Sequence, residues 1–108
     1  MDMKNSLVSI VMPLYNAAKY LKDTLESVLT QRYSFFELIC INDCSTDGTA
    51  DLLDSYQKTD ERIRVLNNDC RMGAGLSRNI GMKEAKGEFL AFWDGDDIFD
   101  EDYLFEAV

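Results

Sequence analysis

Between Leu7 and Leu29 the apolar period of the chain switches once, and that switch constrains the fold more than any other feature. Leu7 to Met12 is a near-continuous apolar run of strand length, the pattern of a parallel strand buried on both faces. Pro13 ends the run. From Ala17 onward Leu21, Leu25, Val28 and Leu29 fall at i, i+4, i+7 and i+8, one face of an amphipathic helix, with Asn16 placed to cap it. The switch recurs. Phe36 to Ile41 reads as a second strand and Thr49 to Gln57 as a second helix with Leu52, Leu53 and Tyr56 on one side. Ile63 to Leu66 is a short third strand, and Ala74 to Ala85 a third helix carrying Leu76, Ile80 and Met82. Gly87 suits a left-handed position after that helix. Phe89 to Trp93 is a fourth apolar strand that ends on Asp94, and Asp100 to Val108 reads as the start of a capped helix.

Connections this long exclude hairpins, so the alternation predicts right-handed crossovers: an α/β fold with a mostly parallel sheet flanked by helices. The 108 residues, 46% of them hydrophobic, suffice for one modest core and one domain over residues 1–108. No apolar segment approaches the roughly 20 residues that cross a bilayer. The first six residues, Met1-Asp2-Met3-Lys4-Asn5-Ser6, lack the apolar stretch of a secretory leader, which points to the cytoplasm.

Twenty acidic against eleven basic residues give a formal charge of −9, and the basic residues are not clustered, so nucleic acid is not expected as a partner. A polyphosphate is still compatible with such a chain when a divalent cation lies between carboxylates and ligand. Histidine is absent, which excludes Ser-His-Asp and Cys-His catalysis and imidazole zinc sites within the chain. The three cysteines, Cys40, Cys44 and Cys70, form no C-x-x-C pair; Cys40 reads as core filling and none is assigned a function.

In open parallel sheets ligands bind beyond the carboxyl ends of the strands. Here those ends are polar: Tyr15 and Asn16 follow strand one, Asn42, Asp43, Ser45 and Asp47 strand two, and Asp94, Asp96 and Asp97 strand four. Three carboxylates within four residues repel one another unless solvent or a cation separates them, and magnesium or manganese needs only one or two such ligands beside water and phosphate. Gly95 would allow close backbone approach to a ligand. The plain alternative is a solvated loop that caps the next helix, but a buried-type strand delivering Asp94 to the ligand edge favours the site. The Asp43 to Gly48 stretch superficially fits a calcium loop, yet a strand precedes it and its twelfth residue is Asp54, not glutamate. Asp43 is better read as an acceptor facing the crevice, with Ser45 or Asp47 capping helix two. Arg78, on helix three, could reach a diphosphate bidentately. Gly73-Ala74-Gly75 lacks the third glycine of a dinucleotide fingerprint.

Six segments in order carry a resemblance to glycosyltransferase family 2, whose members have a GT-A fold. They are Val8 to Asn16, Ser27 to Gln31, Asn42 to Thr49, Gly75 to Gly81, Ala85 to Phe89 and Phe92 to Asp97. The resemblance implies the Rossmann-like N-terminal half of that fold, the half that binds a nucleotide sugar. It implies that Pro13, Tyr15 and Asn16 line the nucleotide pocket, that Asp43 accepts a hydrogen bond from the base, usually uracil, and that Arg78 lies near the diphosphate. Asp94, Asp96 and Asp97 match the family's D-x-D-D pattern, in which the later acids contact the ribose and hold a manganese or magnesium ion; the division of these tasks between Asp96 and Asp97 stays open. Asn42, Cys44 and Trp93 depart from commoner residues, but no key carboxylate is lost.

The implied reaction is transfer of a sugar from a nucleoside diphosphate donor, UDP in the usual case, to an acceptor hydroxyl with inversion. The acceptor would be a glycan or lipid-linked glycan, and the full-length protein could sit peripherally at the inner face of the membrane. The catalytic base and the acceptor-binding half are expected beyond Val108, which would leave this chain donor-binding and weakly active or inactive. Two rivals remain at this point: a nucleotidyltransferase, disfavoured because Pro13 to Ala18 replaces a basic glycine-rich loop, and a non-catalytic nucleotide-binding or assembly domain.

Overall fold

A computed structural model describes residues 6–107, so the residues read as lacking a leader lie, apart from Ser6, outside the described residues, as does Val108. The elements alternate as β1 (Val8–Leu14), α1 (Ala18–Leu29), β2 (Phe36–Asn42), α2 (Thr49–Thr59), β3 (Ile63–Asn67), α3 (Ala74–Glu84), β4 (Phe89–Phe92) and α4 (Tyr103–Ala107). The strands form one sheet in the order β3-β2-β1-β4 with every pair parallel. The expected α/β architecture is what the chain adopts. Among the described residues no helix is long and apolar enough to cross a membrane.

The sheet has unequal faces. Val8, Ile10, Met12, Leu14, Phe36, Leu38 and Cys40 point to the larger core, which Leu21, Leu25 and Val28 of α1, Leu53 of α2 and Leu104 of α4 complete. Val11, Ile39 and Ile41 form a smaller cluster on the other face, where α3 packs against β1 and β2. Both faces of β1 and β2 are thus buried, which explains their near-continuous apolar runs, interrupted at Ser9 and Glu37.

Pro13 does not end β1, which continues to Leu14 opposite Asn42. The Val11 carbonyl accepts from Trp93 on the β4 side and the Leu14 carbonyl from Asp43 on the β2 side. By that alternation Pro13 faces β4, whose pairing with β1 stops at Val11 opposite Phe92, so its missing N–H costs no ladder bond.

Two further local expectations need correction. Gly87 is not left-handed; a Cβ there would lie 2.6 Å from the Leu7 carbonyl oxygen and 2.7 Å from the Ser9 nitrogen, so glycine is required by close approach to β1. Asn16 does not cap α1, although its φ of 48° is left-handed. The Ala18 amide donates instead to Asp47 Oδ2 at 3.2 Å and the Ala17 amide to Thr49 Oγ1 at 2.9 Å, so α1 is capped from the turn after β2.

Candidate functional site

Because β1 lies between β2 and β4, the turns that follow these three strands meet at one sheet edge. The first two are tied together. Asn16 donates its backbone N–H to Ser45 Oγ at 3.0 Å, and its side-chain oxygen accepts from the Thr46 amide at 2.8 Å. Asp47 uses its other oxygen to accept from the Thr49 amide at 2.9 Å, so Asp47, and not Ser45, supports the start of α2.

Two adjoining cavities open at this edge, and Pro13, Leu14 and Tyr15 line both. The first, of about 220 Å³, is completed by Asn16, Ala17, Tyr20, Gly95 and Asp96. The second, of about 80 Å³, is completed by Asp43, Arg71, Ala74 and Ser77. Of the residues expected to bind nucleotide, Pro13, Tyr15, Asn16, Asp43 and Asp96 therefore line this pair of adjoining cavities. Arg78 lies outside that lining and pairs with Asp94 across 3.3 Å.

Asp43 anchors the smaller cavity. Only 2% exposed, it accepts from Asn68 Nδ2 at 3.0 Å and the Met72 amide at 2.8 Å on one oxygen, and from the Gly73 amide at 2.9 Å and Arg71 Nε at 3.2 Å on the other. Burial by itself would raise this carboxyl, but the bonds from Asn68, Met72, Gly73 and Arg71 outweigh it and lower the pKa to about 2. The Arg71 guanidinium also lies 3.5 Å from the Tyr15 ring centroid, a cation–π contact that joins the two walls of the cavity. Sequence reasoning missed Arg71 and Asn68. Both lie in a loop with no periodic pattern, and the only signal was that a buried-type aspartate after a strand requires donors from somewhere.

The acidic turn after β4 is held from within and from α1. The Asp97 amide donates to the Asp94 carbonyl at 3.0 Å, the Asp94 amide to Asp97 Oδ2 at 3.1 Å, and the Trp93 indole N–H to the Asp97 carbonyl at 2.9 Å. Trp93 is fully buried and meets Phe99 and Tyr103 edge-on. From α1, Thr24 Oγ1 donates to the Gly95 carbonyl at 2.6 Å, Ser27 Oγ to the Phe99 carbonyl at 3.0 Å, and Gln31 Nε2 to the Asp100 carbonyl at 2.6 Å. Thr24 was also missed, and Ser27 and Gln31, which bound one of the segments carrying the resemblance, were given no role, although polar side chains interleaved with Leu21, Leu25 and Val28 are a readable sign that one helix face must satisfy a passing backbone. Gly95 also packs closely: a Cβ would stand 2.4 Å from Leu14 Cδ2, so the Leu14 side chain would have to move aside.

Asp94 and Asp97 each have one oxygen engaged, by Arg78 and by the Asp94 amide, whereas Asp96 lines the larger cavity exposed and makes no hydrogen bond or ion pair among the described residues. Among the described residues no three acidic or thiol groups converge as a ready metal cage. The donor set still fits a hard divalent ion that takes one or two carboxylates and completes its shell with water and phosphate oxygens.

A four-stranded parallel sheet flanked by helices is Rossmann-like, the architecture of the N-terminal half of a GT-A fold. The chain belongs to glycosyl transferase family 2, whose sequence model matches residues 9–108. Among curated relatives, the putative teichuronic acid biosynthesis glycosyltransferase TuaG of Bacillus subtilis is 46% identical over 91% of this chain and 39% of its own length. The UDP-Glc:alpha-D-GlcNAc-diphosphoundecaprenol beta-1,3-glucosyltransferase WfgD of Escherichia coli is 41% identical over 90% of this chain and 38% of its own length. Among solved structures, S. aureus TarS 1-349 in complex with UDP superposes with a TM-score of 0.86 at 33% identity, covering 93% of this chain and 30% of that one. The chain thus spans about two fifths or less of the relatives named.

Proposed function

We propose that this chain forms the donor site of a glycosyltransferase that moves a sugar from a uridine diphosphate donor to an acceptor hydroxyl, with inversion at the anomeric carbon. The observation that carries the reading is the pair of cavities sharing Tyr15, one ending on Asp43 and Arg71 and the other on Asp96. A nucleotide has the same two ends, a hydrogen-bonding base and an anionic diphosphate. UDP, UDP-GlcNAc and UDP-Glc appear with the relatives TarS and WfgD, which favours uridine as the base.

In this reading the base enters beside Tyr15 and exchanges hydrogen bonds with Asp43, displacing one of its present donors. Arg71, already on the Tyr15 ring, is the side chain best able to swing aside and cover the base. The diphosphate extends toward Asp96, and Arg78, released from Asp94, offers a fixed fork of N–H donors to the leaving phosphate oxygens. Asp96, with a free oxygen of Asp94 or Asp97, would hold manganese or magnesium, which when bound supplies Lewis-acid stabilisation of the departing diphosphate. The acceptor in this reading is a glycan or lipid-linked glycan, and as the chain spans about two fifths or less of the relatives named, the part proposed for it is donor binding.

Calorimetric titration of UDP with and without manganese tests the reading. Metal-dependent binding is expected for the wild type and its loss for Asp96→Asn combined with Asp97→Asn. Equal affinity with and without metal, or no binding of any nucleoside diphosphate, would overturn it.

A further inference from the structure

Two of the three cysteines flank the seam that closes the smaller cavity. Cys44 directly follows Asp43, and its thiol donates to the backbone carbonyl of Asp69, with Sγ 3.8 Å from the oxygen. That carbonyl belongs to the peptide joining Asp69 to Cys70, so by standard peptide dimensions the Cys44 sulfur lies within roughly 7 Å of the Cys70 Cα. Closing a disulfide across this gap requires both short side chains to turn and the loop to shift with them. Cys70 is exposed and Cys44 half-buried, so an oxidant reaches them from solvent. Cys40 does not compete: it is buried in the core, and burial pushes its thiol up to about 12.

We propose that Cys44 and Cys70 form a reversible disulfide that fastens the loop of residues 68–73 to the end of β2. That loop supplies all four hydrogen bonds received by the Asp43 carboxylate, through Asn68, Arg71, Met72 and Gly73. A bridge one residue away on each side holds the donors in place. Its effect on a ligand rests on the nucleotide reading above, because a base that seeks Asp43 has to displace one of them.

The oxidant is a disulfide of the glutathione class. A thiolate of the pair attacks it, one glutathione leaves, and the second protein thiolate attacks the mixed disulfide and releases the other glutathione as thiol. Two protein thiols are oxidised and one glutathione disulfide is reduced.

The 108-residue chain treated with oxidised glutathione is expected to lose two hydrogens by intact mass, with peptide mapping placing the bridge at Cys44 and Cys70 and dithiothreitol restoring the starting mass. Hydrogen exchange at the Met72 and Gly73 amides should slow, and UDP affinity should fall about tenfold, the loss expected when the binding-competent fraction of the loop is cut by that factor. In Cys70→Ser the oxidant should leave both exchange and UDP affinity as in the reduced wild type. Glutathione retained on Cys70, a bridge between two chains, or a Cys44–Cys70 bridge that changes neither exchange nor affinity would overturn the proposal. If the reduced chain binds no UDP, the nucleotide reading fails by itself, since mass and exchange are read without nucleotide.

Discussion

A carboxylate surrounded by four protein donors, as Asp43 is, cannot become an amide without turning an N–H₂ group toward two of those donors. Asp43→Asn should therefore lower stability by about 1–3 kcal/mol, the cost of leaving buried polar groups unsatisfied, as read from urea midpoints at constant slope. Arg71 stands at the other extreme. Its side chain is about half exposed, so its ion pair with Asp43 contributes little to folding, and Arg71→Ala should cost no more than about 1 kcal/mol. The same variant should weaken UDP binding clearly more than folding if Arg71 covers the base. A parallel loss of stability and affinity would make it a structural residue only. Asp43 was legible in the sequence as an acceptor at a strand end, but the identity of its donors was not, because residues 68–73 follow no helical or strand period.

At the level of elements, the period switch at Pro13 and its repetitions located all four strands, and the observed bounds differ from the expected ones by a residue or two, as at Pro13 itself. The caps were the weaker part. Asn16 has the right residue type in the right place for a cap, yet Asp47 and Thr49, thirty residues on, do that work, and no local pattern encodes a partner from the neighbouring turn. Glycines divide in the same way. Gly87 lies against the backbone of β1, which cannot yield, whereas a Cβ on Gly75 in α3 meets nothing within 4 Å. Gly87→Ala should thus destabilise by about 1–3 kcal/mol through overpacking at the entry to β4. Gly75→Ala should stabilise by roughly 0.5–1 kcal/mol through helix propensity. Thermal midpoints of the two variants test the contrast, and equal shifts would show that β4 does not depend on close approach to β1.

For the molecule as a whole, acid is the vulnerable side. The carboxyl of Asp47 is lowered by its bond from the Thr49 hydroxyl, that of Asp60 by its bond from Arg62, and that of Asp43 from 3.8 to about 2. A lowered folded-state pKa gives stability that is complete above the ordinary carboxylate value and is lost as pH falls through the folded value; for Asp43 this amounts to roughly 2 kcal/mol. The melting temperature should hold from neutrality down to about pH 5 and then fall steeply below about pH 4. A midpoint unchanged at about pH 3 would contradict the assignment of these bonds to the folded state. The hydrogen bonds from Asn16 to Ser45 and from Thr46 to Asn16, and those from Ala17 and Ala18 to Thr49 and Asp47, have a different consequence, for engineering. The turns after β1 and β2 form one unit of exchange. Transplanting the turn after β2 alone removes the acceptors of the opening amides of α1, and transplanting the turn after β1 alone removes the Asn16 oxygen that accepts from Thr46, so a chimera that aims to accept a different ligand has to place its crossover points outside both.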